Sequence, residues 1–290
     1  MEFTGLGVFA FLDTMSIAEA GAFAQRVEEL GYQALWFTEG PLGRDALVHA
    51  ASLLTRTKRM IIGTGVASVW ARPAPTIAAG ARTNAELSGD RFALGIGVNN
   101  PVSVAMRGGT YGKPLAFMAE YVGALKAFKY TAAGTAPVPP IVIGAQNPKM
   151  LELAGRLADG ALTYFVTPAY TAHARRLLGP GKRLIVEQAV LLESDANKAR
   201  TCVRDYMAFY LSIPGYSKFL MSLGFDQRDL VEGGSDFLVD AIVAWGGKDA
   251  LRARLNEHRN AGADQVCILA LDPAGGLRPD LRTLEVLASK

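Results

Sequence analysis

The sequence predicts an α/β protein folded as a (β/α)8 TIM barrel, and three observations carry that prediction. Short apolar or β-branched runs alternate with amphipathic stretches at helical spacing. Most of the short runs are apolar throughout, as expected for parallel strands covered on both faces. Because half of the 290 residues are apolar, one large core is possible, and we expect a single domain over residues 1–290.

The first half of the chain supplies four of the expected strands, at residues 4–9, 34–37, 60–66 and 92–97. Ser16 and Glu19 form a capping box that begins the first helix, and Gly31 ends it. Further helices are expected at residues 45–55 and 76–87, and then around Tyr121. This part of the chain therefore predicts repeated strand and helix units.

The second half continues the alternation, with strands expected at residues 140–144, 161–165, 184–192 and 266–270. A helix begins at Asn147-Pro148, a long helical region covers residues 196–244, and a helix follows at 251–260. Eight strands in a chain of this length favour a closed barrel. A doubly wound open sheet is the alternative, because counting strands does not establish closure.

Composition disfavours several classes of partner. Thirty basic and 27 acidic residues give a net charge of +3 without long basic runs, so no nucleic acid is expected. No apolar run reaches the ~20 residues of a membrane span. Cys202 and Cys267 match no metal or redox spacing, which predicts a reducing, cytoplasmic compartment. His49, His173 and His258 fall in predicted helices without ligand spacing, so no metal site is expected.

Small and amide residues cluster where four predicted strands end, which is the reactive face of a TIM barrel. These turns are Thr38–Pro41, Gly65–Ser68, Gly97–Pro101 and Gly144–Asn147. Glycine lets a backbone approach a ligand closely, and N–H groups at a following helix N-terminus bind anions. Each turn alone is ordinary turn chemistry, but together they predict a grip on a phosphate tail.

Other candidate groups lie near the same face. Glu39 follows the second strand, where partial burial would suit a proton donor or acceptor, although a solvated loop carboxylate is the alternative. Arg107 and Lys113 flank a glycine-rich loop that could act as a lid over an anionic ligand, or could simply be solvated. Five aromatic residues before the last strand are interpreted as packing beneath the long segment that precedes it, with the wall of a substrate pocket as the alternative: Tyr206, Phe209, Tyr210, Tyr216 and Phe219.

The run Gly95–Asn100 is not a dinucleotide fingerprint, because it lacks the last glycine and lies on the fourth strand, so a Rossmann dehydrogenase is disfavoured. Instead the chain resembles the luciferase-like monooxygenase superfamily nearly end to end, especially its coenzyme F420-dependent oxidoreductase branch of the actinobacterial type. The segments that carry the resemblance are Gly31–Glu39, Ile62–Val66, Leu87–Gly97, Leu153–Gly160 and Asn260–Asp264.

The resemblance implies a flavin-type cofactor at the predicted mouth of the barrel. In that family the third strand ends in a non-prolyl cis peptide that backs the cofactor ring, which the resemblance places at Gly65-Val66, with Ser68 close by. The cofactor phosphate would lie against the turns after strands four and five, with two further residues from strand six. These residues are Gly97, Val98, Asn99, Asn100, Gly144, Ala145, Gln146, Asn147, Thr163 and Tyr164.

The chain also departs from that family. Well-studied deazaflavin dehydrogenases carry a histidine after strand two and a glutamate after strand four, where this chain has Gly40 and Asn100, so dehydrogenation of a sugar phosphate by that pair is not implied. The resemblance implies hydride transfer between F420 and a small organic substrate, with Glu39 as the proton-handling residue.

Two other functions stay open: an FMN-dependent monooxygenase that uses reduced flavin from a partner reductase, and a cofactor-binding protein without catalysis. A separate cofactor-reducing enzyme is an expected partner. The resemblance also suggests a homodimer, formed through the helices around strands two and three. The substrate itself is not readable, because variable loops would line its pocket.

Overall fold

The computed structural model describes residues 1–134 and 137–288, and these contain a closed barrel of parallel strands. The barrel strands are β1 (Leu6–Ala10), β2 (Ala34–Phe37), β3 (Ile61–Thr64), β5 (Phe92–Gly97), β6 (Ile141–Gly144), β7 (Gly160–Thr163), β8 (Arg183–Leu191) and β10 (Gln265–Leu271). Two shorter strands, β4 (Ala67–Ser68) and β9 (Ala244–Trp245), pair with β5 and β8.

Strand β10 closes the barrel. It pairs with β8 in register from Gln265 beside Ile185 to Leu271 beside Leu191, and its other edge pairs with β1. A doubly wound sheet would leave two open edges, so the closure confirms the TIM barrel and excludes the alternative topology. Each predicted strand is present within a few residues of its expected position.

Helices surround the barrel. They are α1 (Ile17–Glu29), α2 (Ala46–Leu54), α3 (Ala74–Ser88), α4 (Pro101–Met106), α5 (Pro114–Ala127), α6 (Pro148–Leu157), α7 (Pro168–Leu178), α8 (Ala196–Leu211), α9 (Pro214–Ser222), α10 (Asp236–Ile242), α11 (Lys248–Asn260) and α12 (Leu281–Leu287). No bounds were predicted from the sequence for α4, α7 or α12. The expected long helical region is divided into α8, α9 and α10, because Pro214 begins a new helix and Gly233 and Gly234 have positive φ.

Side chains alternate along each strand between two cores. One core lies between the strands and the helices, and the other fills the barrel interior. The largest side chain of the interior core is Trp36, and a Cβ at Gly63 would lie only 2.4 Å from its ring. A Cβ at Gly95 would lie 1.8 Å from the backbone oxygen of Thr64. Glycine at these positions therefore lets the barrel close around a tryptophan.

The described residues contain neither a membrane-spanning helix nor a cluster of metal ligands. None of their helices is long and apolar enough to cross a membrane. Within the same ranges, no group of three or more histidine, cysteine, aspartate or glutamate side chains is arranged to hold a metal ion. The three histidines lie on helices, as predicted: His49 on α2, His173 on α7 and His258 on α11.

Candidate active site

Three strand ends meet at the carboxyl face of the barrel. The Gly65–Val66 peptide bond is cis, at the place that the resemblance indicated. The Val66 side chain lies directly against Gly97 and Gly144, because a Cβ at Gly97 would be 2.3 Å from Val66 Cγ2 and one at Gly144 would be 2.9 Å from Cγ1. Four residues named from the sequence thus form one small apolar platform, half exposed at Val66, which we call the Val66 platform.

Glu39 lies beside this platform and is buried, with only 1% of its side chain exposed. One carboxylate oxygen accepts from the N–H of Ala46, and the other accepts from the N–H of Ser68 at 2.8 Å. The guanidinium of Arg72 pairs with Glu39, and that of Arg107 lies 3.4 Å from it. Both oxygens are therefore already engaged by donors of the protein.

The hydrogen bond from the Ser68 N–H to Glu39 links three strands. Glu39 follows β2, Ser68 ends β4, and β4 pairs with β5 through Ser68 and Gly97. Ser68 is itself buried and presents no free surface to a ligand. Its contribution is to the backbone path, because the Glu39 carboxylate fixes the segment that follows Gly65 and Val66. Glu39 therefore supports the Val66 platform from behind.

The loop after β5 is largely occupied by its own contacts. The carbonyl of Val98 accepts from the Trp70 indole at 2.9 Å, and the side chain of Asn100 caps α4 by accepting from the N–H of Ser103 at 3.0 Å. Asn99 has a φ of 50°, and its buried Oδ1 has no partner within the described part of the chain. Asn99 is thus the residue of this loop whose polar atom still needs a partner.

The turn after β6 is more open. Gln146 donates to the carbonyl of Tyr164 at 2.8 Å and accepts from the Tyr170 hydroxyl at its own carbonyl, while the Ala145 N–H donates to the Leu162 carbonyl at 3.0 Å. Asn147 is the N-cap of α6, yet it makes no side-chain cap hydrogen bond within residues 1–134 and 137–288. Pro148 has no N–H and Met150 donates its N–H to the Asn147 carbonyl, so Lys149 supplies the first-turn N–H that is left for an anion.

Thr163 at the end of β7 and Tyr164 directly after it, both predicted to bind the cofactor, face different cores. By strand alternation Thr163 shares the outward face of Ala161, and its buried Oγ1 has no partner among the described residues. The side chain of Thr163 thus lies behind the barrel wall, away from the mouth. Tyr164 faces inward, is half-buried, and pairs its hydroxyl with that of Tyr216.

Sequence reasoning missed a carboxyl group in the barrel interior. Glu187 lies on β8 between the inward residues Ile185 and Ala189 and is 3% exposed. Its Oε2 accepts from the Phe165 N–H at 3.4 Å, while Oε1 has no partner among the residues that the structure describes. Burial raises the pKa of this carboxyl to about 8, although the Phe165 hydrogen bond opposes that shift.

A signal for Glu187 was present in the sequence. It is the one charged residue in the apolar run Leu184–Leu191, and every residue of a barrel strand is covered on both sides. A carboxyl group in such a run must be buried, and its burial costs free energy unless it is paired. An unpaired carboxyl group at this position is therefore a signal of function. The hydrophobic pattern of this run predicted a strand, and the charged residue within it was not considered.

Aromatic rings cover Glu187 on the side of the mouth. Phe165 stacks on Tyr210 with centroids 4.7 Å apart, and Tyr210 lies 5.2 Å from Tyr206 and 5.1 Å from Tyr216. Burial raises the pKa of Tyr206 and Tyr216 well above the usual value. We call Tyr164, Tyr206, Tyr210 and Tyr216 the tyrosine cluster.

The interpretation of these aromatics as packing is correct only in part. Tyr206 and Phe219 are buried, but Tyr210 and Tyr216 are half-buried at the barrel mouth. Phe209 is 65% exposed, although its ring meets that of Tyr210 edge to face with centroids 5.6 Å apart. Helix periodicity explains the difference, because adjacent residues on α8 cannot share one face.

A family model described as luciferase-like monooxygenase matches residues 3–265. The chain belongs to this family. The match covers the barrel from before β1 to the start of β10, and so includes the Val66 platform, Glu39 and Glu187.

Among relatives of this luciferase-like chain is a 5,10-methylenetetrahydromethanopterin reductase from Methanolobus tindarius, 26% identical over 91% of this chain and 93% of the relative. A solved coenzyme F420-dependent tetrahydromethanopterin reductase from Methanopyrus kandleri has a TM-score of 0.76 at 18% identity, covering 99% of this chain and 98% of that one. The oxygenating component of a diketocamphane monooxygenase from Pseudomonas putida, solved with FMN, has a TM-score of 0.70 at 14% identity, covering 99% and 97%.

In this luciferase-like barrel, the two positions that lack the histidine and glutamate present no acid or base. Arg107 donates to the carbonyl of Gly40 at 2.6 Å and to that of Pro41 at 3.1 Å, so it braces the loop after β2. Asn100 is used as a helix cap. Arg107 is therefore tied to the protein, and Lys113 is exposed at the start of α5.

Proposed function

We propose that the chain is an oxidoreductase that exchanges a hydride between coenzyme F420 and a small organic substrate. The observation that carries the proposal is the Val66 platform, which lies at the barrel mouth next to the open N-terminus of α6. An apolar surface beside a helix N-terminus suits a ring system with an anionic tail. The similar barrel of the coenzyme F420-dependent tetrahydromethanopterin reductase supports F420 as the cofactor.

The residues of the site fit such a cofactor. The ring would lie against Val66, and the anionic tail would approach Gln146 and Asn147 just before α6. The unpartnered Oδ1 of Asn99 is an acceptor, so it would receive a donor group of the cofactor and not its anionic tail. When bound, the cofactor supplies or accepts the hydride at its ring. The protein orients the ligands and excludes water.

Glu39 as the proton-handling residue stays a prediction, and its contacts favour another role. Its carboxylate already receives Ser68 N–H, Ala46 N–H and Arg72, so a transferred proton would have to displace one of these donors. We therefore assign Glu39 to positioning the Val66 platform.

An FMN-dependent monooxygenase is the second candidate, favoured by the likeness to a barrel solved with FMN. That enzyme class would use the same platform but would need reduced flavin from a partner reductase. Oxygen uptake distinguishes the two, because reduced flavin reacts with oxygen while a reduced deazaflavin is a hydride donor that reacts poorly with it. Protein mixed anaerobically with each reduced cofactor and then exposed to oxygen provides that comparison.

The primary test is a fluorescence titration of the purified protein with F420 and, separately, with FMN, each oxidised and reduced. Selective F420 binding supports the proposal. Selective FMN binding moves the assignment to the monooxygenase, and binding of neither overturns both candidates and leaves only a shared fold.

A further inference from the structure

We propose that Glu187 is the proton donor and acceptor for the substrate, and that the tyrosine cluster above it receives an uncharged oxygen or nitrogen group such as a carbonyl, an imine or an alcohol. The hydride part of this inference rests on the proposed function, whereas the proton part rests on the geometry of the barrel interior.

Glu187 lies in the barrel interior, below the aromatic residues of the mouth. Glu187 points inward from β8 and lies in register beside Cys267 of β10, with Phe165 and the tyrosine cluster toward the carboxyl face. It is nearly fully buried, and its Oε1 has no partner within the described ranges. An unpartnered buried oxygen is costly, and a polar ligand group that entered between the tyrosine rings would satisfy it.

The described residues around Glu187 are uncharged. The groups that respond electrostatically to Glu187 are the hydroxyls of the tyrosine cluster and the thiol of Cys267. Among the described residues, no lysine, arginine or histidine contributes to the perturbation of Glu187 itself. A phosphate or carboxylate next to Glu187 would have no cation to pair with, which is unfavourable in a buried site.

A ligand at the barrel mouth would reach Glu187 through the tyrosine cluster. Tyr164, Tyr210 and Tyr216 are half-buried, so they form the boundary between Glu187 and the mouth. The Tyr164 and Tyr216 hydroxyls are hydrogen-bonded to each other, and the Gln146 amide holds the Tyr164 carbonyl. Gln146 also lies at the start of α6, so the tyrosine cluster adjoins the place proposed for the cofactor.

The chemistry balances in both directions. In reduction, a bound reduced cofactor would supply the hydride with its electron pair to the substrate carbon, and the Glu187 carboxyl would give its proton to the substrate heteroatom. The products would be the reduced substrate, the oxidised cofactor and the Glu187 carboxylate. In oxidation the carboxylate would take the proton from the heteroatom while the hydride returned to the oxidised cofactor. A carboxyl that is protonated near neutral pH is suited to both steps.

The test measures the protonated carboxyl directly by infrared difference spectroscopy of the whole protein. We expect a carbonyl stretch of a buried carboxylic acid that shifts in D2O, titrates near pH 8, and disappears in Glu187→Gln. The matched control is Glu152→Gln, which removes an exposed carboxylate from α6 and should leave the band unchanged. Glu187→Asp serves as a second variant, which should move the band without removing it.

Two probes of the same shape then test the substrate class. Cyclohexanone, an uncharged ketone, should shift the Glu187 band to lower frequency, while cyclohexanecarboxylate should leave it in place. A shift with the carboxylate alone, a band that neither probe shifts, or the absence of the band would each overturn the inference.

The probes are added with and without F420, and binding of F420 is measured separately by fluorescence. A ketone-sensitive band in a protein that does not bind F420 would support Glu187 and contradict the proposed function. F420 binding without the band would do the reverse.

Discussion

The indole Nε1 of Trp36 donates a 3.0 Å hydrogen bond to Oε1 of Gln265 across the barrel interior. The two residues lie on β2 and β10, which are not adjacent strands, so this contact braces the interior below the functional face. Gly63 leaves room for the ring, because a Cβ there would overlap it. The interior therefore has no tolerance for an added methyl group at this position.

We expect Gly63→Ala to destabilise the protein by about 1–3 kcal/mol, since overpacking forces Trp36 off its position. Urea denaturation followed by tryptophan fluorescence measures the effect. The control is Gly123→Ala, at an exposed position of α5 where nothing in the described chain lies within 4 Å of the new Cβ. Because alanine favours a helix, this control should be neutral or stabilising. Equal effects of the two substitutions would contradict the packing argument.

Glu39→Gln should lower the free energy of unfolding by about 1–3 kcal/mol, because the buried Arg72 guanidinium loses its charged partner Glu39 and keeps only the ion pair with Asp45. Cofactor binding should weaken as well, since the N–H groups of Ser68 and Ala46 then share one acceptor oxygen instead of two. Chemical denaturation and cofactor titration measure the two effects. If Glu39→Gln kept full stability and binding but abolished turnover, the carboxylate would be a proton-transfer group after all. In the double variant with Arg72→Gln, the cost should be smaller than the sum of the single costs.

Acid should weaken the protein through His258. Its ring nitrogens contact the Thr171 hydroxyl at 2.8 Å and the Gln188 side chain at 2.7 Å, and burial lowers its pKa to about 3. The unfolded chain takes up this proton near pH 6.5, so stability falls as pH drops from about 6.5 toward 3, by up to about 1.4 kcal/mol per pH unit.

Denaturation curves across that pH range should show a shallower dependence for His258→Gln. His49, whose pKa burial lowers to about 4, should contribute a parallel dependence. The control is His173→Gln on the surface of α7. An unchanged slope in His258→Gln would contradict the assignment.

Glu187 should have the opposite pH signature. Its pKa is raised in the folded state, so the folded protein holds a proton that the unfolded chain releases above about pH 4.5. The stability of the natural protein therefore decreases relative to Glu187→Gln as pH rises from about 4.5 to 8, by about 1.4 kcal/mol per pH unit. Thermal unfolding of both proteins at matched pH values measures the difference. A constant difference over this range would show that Glu187 is not protonated in the fold.

The sequence was sufficient for the barrel, because its strands are local apolar runs and its helices have clear periodicity. It also identified Gly65, Val66, Gly97 and Gly144, whose turn chemistry lies at strand ends. It could not show that Val66 would touch both Gly97 and Gly144, since that contact joins three strands distant in sequence. Nor could it show the direction of Thr163, where a single residue of register decides which core receives the side chain.

Partner choice was equally out of reach. Glu39 was considered alone, yet its neighbours Arg72 and Arg107 come from segments 33 and 68 residues further along the chain, and only the fold brings them together. Glu187 was overlooked because a strand assignment by hydrophobic pattern passes over a single charged residue. An isolated carboxyl in a fully buried strand is the stronger functional signal of the two.

The measurement that tests the central claim most directly is the affinity of F420 for the natural protein, Asn147→Ser and Asn147→Asp. Both substitutions can cap α6, so neither should lower stability. A carboxylate at this position would repel an anionic tail, so we expect the dissociation constant to rise at least about tenfold in Asn147→Asp and little in Asn147→Ser. Equal affinity of all three proteins for F420, or no binding by the natural protein, would contradict a cofactor held between the Val66 platform and α6.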